Sequence, residues 1–209
     1  MRNRACGLRL AAWIAWGAGF AGLSQGQDIQ RITAAGQQAM LEHPGTMPAG
    51  AAKPDVTIVE YFDYNCPYCK KLAPTLQALM SADRKVAIVY KDWPIFGGIS
   101  VYAAKSALAA QWQGRYLAAH DALLAGPRLT SEDQVDAIVQ RAGVNLQTLN
   151  TDRIAHAADI NALLMRNNEE ARALGLKGTP GIAVGRELLP GIVSLSALQQ
   201  IVGIARHEK

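Results

Sequence analysis

Cys66 and Cys69, separated by Pro67 and Tyr68, are the side chains of this sequence best suited to do chemistry. The two thiols are spaced one helical turn apart and follow directly on the apolar run Val56-Thr57-Ile58-Val59-Glu60-Tyr61-Phe62. A strand feeding a Cys-x-x-Cys at a helix start is the layout of a dithiol that cycles between thiols and disulfide. As a structural staple the pair is weak, because closing so short a loop contributes only about 2 kcal/mol in the chain-entropy model. Zinc needs four ligands, and no histidine lies close to the two thiols in sequence; His43, His120, His156 and His207 are scattered without ligand spacing. Monovalent copper is soft and suits two thiolates, so a Cu(I)-binding or copper-protective thiol protein stands as the alternative reading.

The third cysteine, Cys6, falls in a segment with the pattern of a secretory signal peptide. Met1-Arg2-Asn3-Arg4 is basic, Leu10 to Leu23 is apolar, and Ser24-Gln25-Gly26 offers small residues for cleavage after Gly26. The apolar stretch is short for a retained membrane anchor, and Arg2 and Arg4 are not adjacent, as a twin-arginine signal requires. Removing residues 1–26 leaves Cys66 and Cys69 as the only thiols and predicts a periplasmic protein, where disulfides persist. The formal charge of +4 owes much to Arg2, Arg4 and Arg9 of the leader, so it argues for no nucleic-acid partner. The remaining chain, half apolar, suffices for one core.

The elements that must position the dithiol follow from hydrophobic period and punctuation. Residues 28–41 read as a helix ended by His43-Pro44-Gly45, and 46–54 as an extended lead-in. Residues 56–62 and 86–90 read as buried strands, with a helix over 66–81 between them turning Leu72, Leu76, Leu79 and Met80 inward. Helices are expected over 100–113 (Val101, Ala104, Leu108 and Trp112 on one stripe), 115–124, from an N-cap at Thr130 to 141, and as one or two more over 146–174. Strands return at 182–184 and 187–189, and a helix over 194–205 closes the chain. This order predicts an α/β fold with a small mixed sheet flanked by helices. It divides the chain into a signal peptide (1–26), an N-terminal helix and lead-in (27–53), and one domain (54–209) interrupted by an all-helical subdomain at about 98–174.

Cys66-Pro67-Tyr68-Cys69-Lys70-Lys71-Leu72-Ala73-Pro74 resembles the active-site helix of the thioredoxin superfamily, including the proline five residues after the second cysteine. Gly178-Thr179-Pro180 resembles that superfamily's cis-proline loop. The helical block between these motifs is similar to the DsbA family of exported thiol:disulfide oxidoreductases. Tyr61 to Lys70 and Lys91-Asp92-Trp93-Pro94-Ile95 look most like its Com1/ScsC-type branch, associated with suppression of copper sensitivity. The resemblance implies a thioredoxin-like fold, no bound cofactor, thiol- or disulfide-containing secreted clients, and a membrane redox partner that resets the dithiol. Oxidase, isomerase and reductase share such a site.

Cys66, at the helix N-terminus, is expected to be the nucleophile, since unpaired N–H groups and the helix dipole favour its thiolate. Pro67 suits the first helical turn, where its missing N–H costs nothing. Tyr68 brings no positive charge, so the Cys66 pKa is expected to be low without being the lowest of the family. Cys69, one turn deeper, is the expected resolving thiol. Glu60 resembles the buried acid that takes a proton from the deeper cysteine; Lys91 is a candidate partner for it, and Asp63 reads as a surface residue. Thr179 and Pro180 are the expected substrate platform, with Tyr61, Tyr64 and Tyr68 offering apolar surface to clients. Phe62, Trp93 and Trp112 read as packing residues. A cytosolic glutaredoxin-like reductase would have neither leader nor helical block, and an intact dithiol argues against a purely binding domain.

Overall fold

The computed structural model describes residues 29–42 and 48–208. The signal-peptide reading, Cys6 and the His43-Pro44-Gly45 stop lie outside the described residues. A short strand β1 (Gln30–Arg31) precedes helix α1 (Ala34–Glu42), and β2 (Ala49–Gly50) follows it. Then come β3 (Val56–Phe62), α2 (Pro67–Ala82) and β4 (Val86–Asp92). A helical block, α3 (Gly98–Ala109), a 3-10 turn (Ala110–Gln113), α4 (Tyr116–Ala125), α5 (Glu132–Arg141), α6 (Leu146–Ala155) and α7 (Ala157–Ala173), separates β4 from the hairpin β5 (Gly181–Val184) and β6 (Glu187–Pro190). Helix α8 (Leu195–His207) closes the fold. No helix among the described residues is long and apolar enough to cross a membrane.

The six strands run in the order β1-β6-β5-β3-β4-β2, so β3 lies at the centre with β4, the other of the two longest, β-branched strands, beside it. β3 and β4 pair in parallel, with Glu60 opposite Tyr90 and Tyr61 opposite Lys91, and β5 pairs antiparallel to β3 with Ile182 opposite Glu60. Side chains alternate across the pleat. Ile58, Phe62, Ile88 and Tyr90 therefore enter one core with α2, the helical block and α8, while Val59, Tyr61 and Val89 enter a second with Ile32 and Met40. Leu72, Leu76 and Leu79 are fully buried under α2, and each such burial stabilises by about 2 kcal/mol.

Several boundaries differ from expectation for local reasons. The N-cap of α5 is Ser131, whose hydroxyl accepts the Gln134 N–H, while Thr130 instead donates to the Gln134 side chain. Two extra strands, β1 and β2, pair with the outer strands β6 and β4; at two residues each they leave no periodicity to read. Trp112 is 41% exposed and stacks flat on His156, 3.7 Å between ring centroids, because its helix has tightened into a 3-10 turn that rotates it off the inward stripe.

The helical block is tied to the end of β4 by polar contacts. The fully buried Lys91 ammonium forms an ion pair with Glu170 of α7, Trp93 Nε1 donates to Asn168 Oδ1, and Tyr116 donates to Asp92. Removing one member of a buried pair leaves the other charge in a low dielectric. Glu170→Ala is therefore expected to lower stability by about 3 kcal/mol, read as an earlier urea midpoint. An unchanged midpoint would show the pair to be energetically idle.

Candidate active site

β3 ends at Phe62, and the loop Asp63-Tyr64-Asn65 delivers Cys66 as the N-cap of α2. The Cys66 backbone is extended (φ −72°, ψ 116°) and its sulfur accepts the Cys69 N–H at 3.4 Å. Pro67 takes the first helical position, where no N–H is needed. The Cys66 N–H donates to Asp63 O at 3.1 Å, and the Cys66 thiol donates to Thr179 O at 3.2 Å. Cys66 and Cys69 are free thiols and both are buried. The Thr179–Pro180 peptide is cis. Gly191 N–H donates to Pro180 O at 2.7 Å, so the loop facing Cys66 is fastened to the end of β6.

The two sulfurs have opposite tendencies. The Cys69 thiol donating to Cys66, helped by backbone N–H groups of Cys69 and Tyr68, pulls the Cys66 pKa down to about 6 against the effect of burial. Burial pushes Cys69 far above the ordinary thiol range, reinforced by its donation to Cys66 and by the charge of Glu60. Glu60 is fully buried on the dithiol side of the sheet, and neither carboxylate oxygen has a hydrogen-bond partner. Burial, with the negative charge of Cys66, pushes its carboxyl up to about 8. The set comprises a thiol with its pKa drawn down to about 6, a deeper thiol held protonated, and a buried acid pushed up to about 8.

Three expectations need correction. Lys91 is paired with Glu170 and not Glu60: the register that sets Glu60 opposite Tyr90 sends Lys91 to the other face of the sheet, with Tyr61. Asp63 is buried, not a surface residue. Its carboxylate accepts from the N–H groups of Asn65 (2.7 Å), Ile95 (2.7 Å) and Phe96 (3.0 Å) and from the Ser100 hydroxyl (2.7 Å). It thereby joins the loop before Cys66 to the start of α3. Tyr61 and Tyr64 offer no surface, since Tyr61 donates to Glu170 and the Tyr64 hydroxyl contacts His120 Nδ1 at 3.2 Å. The exposed apolar groups beside the site are Tyr68 (57%), as expected, with Ile95 (41%) and Phe96 (52%).

Asn65 and Lys70 also belong to the site, though no local pattern in the sequence assigns either a role. Both make contacts to residues more than fifty positions away. The lysine was visible only as part of the Cys-x-x-Cys-Lys motif.

A family model described as the DSBA-like thioredoxin domain matches residues 57–203. A thioredoxin-like oxidoreductase of Silicibacter pomeroyi superposes with a TM-score of 0.77 and 38% identity, covering 81% of this chain and 97% of that one. A periplasmic thioredoxin-like protein of Salmonella enterica serovar Typhimurium gives 0.70 and 29%, covering 85% and 99%. The catalytic domain of Proteus mirabilis ScsC gives 0.70 and 27%, covering 82% and 98%. Na(+)/H(+) antiporters NhaA of Salinispora tropica and Salinispora arenicola also match, 36% and 35% identical over 78 residues; the matched stretch is 36% of this chain and spans 12% of those curated relatives. Taken with the mixed sheet, the helical block between β4 and β5 and the two free thiols at the start of α2, these likenesses show that the chain belongs to the DsbA-like thioredoxin domain family of thiol:disulfide oxidoreductases, with ScsC among its structural relatives.

Proposed function

We propose that this protein exchanges disulfides with secreted protein clients in the periplasm, after loss of residues 1–26, using Cys66 as nucleophile and Cys69 as resolving thiol. The observation that carries the reading is the geometry of the two thiols at the start of α2, Cys66 Sγ accepting the Cys69 N–H at 3.4 Å and facing Thr179 O at 3.2 Å, with the Cys66 pKa drawn down and that of Cys69 pushed up. The basic, apolar and small-residue leader and the likeness to a periplasmic protein of Salmonella support the location.

In the reductive direction the Cys66 thiolate attacks a client disulfide. A Cys66–client disulfide forms, and one client sulfur leaves as thiolate. Glu60, ionised, takes the proton of Cys69, and the new thiolate attacks the Cys66 sulfur. The intramolecular disulfide forms, the second client thiol departs, and the client has gained two electrons. A membrane redox partner returns them. The oxidative direction is the reverse of these steps. The Thr179 backbone can pair with an extended client segment beside the sulfur, and Tyr68 offers it apolar surface.

The direction of exchange is the part of the proposal that the potential decides. A reactive thiol near pKa 7 accompanies a potential of about −270 mV in thioredoxin, and one near 3.5 accompanies about −120 mV in the strongly oxidising relative. A Cys66 pKa lowered to about 6 lies between them and supports a dithiol less oxidising than that relative, one serving reduction or rearrangement of client disulfides. Equilibration with glutathione buffers measures this directly. A value near −120 mV would instead make the protein a disulfide donor.

A further inference from the structure

The dithiol is gripped from both flanks by one segment of the helical block. Asn65, immediately before Cys66, presents its carboxamide to Leu129 as a neighbouring strand would. Its Nδ2 donates to Leu129 O at 3.1 Å, and Leu129 N–H donates to its Oδ1 at 2.8 Å. Leu129 is buried, so both of its peptide groups depend on that one side chain. On the other flank Lys70 reaches the C-terminus of α4, donating to Leu123 O at 2.6 Å and Gly126 O at 3.1 Å. Carbonyls unpaired at a helix C-terminus and the negative end of its dipole favour a cation there. The ammonium of Lys70 is thereby directed at the helical block.

Neither anchor has a hydrogen bond to sulfur, yet both bound the turn that holds the sulfurs. The Cys69 N–H reaches Cys66 Sγ at 3.4 Å, and small displacements weaken such a bond steeply. Asn65 is fixed twice over, because its own N–H is held by Asp63 Oδ1 at 2.7 Å. We propose that Asn65 is a positioning residue for Cys66, and that its pairing with Leu129 couples the ionisation and redox state of the dithiol to the 123–129 segment of the helical block. The inference rests on the reading of Cys66 as the reactive thiol. Such coupling is reciprocal: if the Leu129 contact favours the reduced geometry, oxidation must alter the opening of that contact by a matching factor.

Two measurements test it. Ultraviolet thiolate absorbance against pH should show the Cys66 transition displaced upward by about one pH unit in Asn65→Ala, the effect of weakening one hydrogen bond to a charged sulfur, with circular dichroism unchanged. In the wild-type protein, amide exchange at Leu129 should differ by about fivefold or more between reduced and oxidised forms; this comparison decides the matter if the variant does not fold. An unmoved transition in a folded variant, or equal Leu129 exchange in both redox forms, overturns the coupling. A wild-type protein with no thiolate transition below that of free cysteine overturns the reactive-thiol reading itself, and the coupling with it.

Discussion

Cys69→Ala turns the protein from a turnover catalyst into a trap. Cys66 still attacks a client disulfide, but no second thiolate lies within reach to expel the client. The intramolecular step is replaced by attack of a dilute external thiol, and lost proximity of this kind slows resolution by at least about 1000-fold. Client and protein should then migrate as one covalent adduct on a non-reducing gel, with a mass equal to their sum, because the displaced thiolate stays on the client chain. Attack itself also slows, because the Cys69 thiol is the main group holding Cys66 down. Cys66→Ala should behave differently and form no adduct. Its remaining thiol is fully buried and held far above the ordinary range, so it supplies essentially no thiolate at neutral pH. Adducts accumulating with Cys66→Ala, and turnover persisting in Cys69→Ala, would reverse the roles of the two sulfurs.

Glu60→Gln should make the protein more stable and a slower catalyst. A carboxyl whose folded pKa is raised from 4.5 to about 8 binds more protons folded than unfolded between those values. Stability therefore falls as pH rises through that window. At pH 7 the deficit is about 3 kcal/mol, which the neutral amide removes. For a domain of this size the melting temperature should rise by roughly 10 °C. The gain should vanish near pH 4.5, where wild-type Glu60 is neutral in the fold and half neutral in the unfolded chain. Cys66 acts with the opposite sign. Its folded pKa is depressed to about 6 from 9.0, so its contribution is complete above 9 and is lost as pH falls toward 6. The two slopes oppose each other between about 6 and 8 in the reduced protein, whereas the disulfide form retains only that of Glu60. Melting followed against pH should thus be flatter for the reduced form in that interval. The catalytic counterpart is resolution of the mixed disulfide, expected to slow about 100-fold on loss of a positioned base. Unchanged resolution in a stabilised Glu60→Gln would leave Glu60 a buried acid without a chemical role.

The parts of this design with a short sequence signature were readable in advance. Val56–Phe62 announces a central strand through β-branching and continuous apolarity, and Cys66-Pro67-Tyr68-Cys69 announces a helix start carrying two thiols. The helical block follows from 3.6-residue periodicity and its glycine stops. Side-chain partners set by register or by the folding-back of the block were not readable. Lys91 could be placed only just past the strand read over 86–90, as a candidate partner for Glu60; the structure carries β4 on to Asp92, and the parallel alignment of β3 and β4 decides that Lys91 faces away. Asp63 looks like a loop carboxylate until Ile95, Phe96 and Ser100 fold back to add three donors to that of Asn65. Asn65 carries no signal, because a carboxamide that imitates a peptide group needs the Leu129 backbone before its purpose exists.

A sheet with open margins can become a template for other chains. An open outer strand displays a row of unpaired N–H and C=O groups, to which any extended segment can add. Here the outermost positions belong to β1 and β2, each two residues long. Their brevity denies a passing strand a run of consecutive pairings at those two positions, where β1 covers Glu187 and Leu188 of β6 and β2 covers Ala87 and Ile88 of β4. On the proposed reading, a client segment that pairs with the short stretch of backbone at Thr179 also meets the Cys66 sulfur, which lies 3.2 Å from Thr179 O.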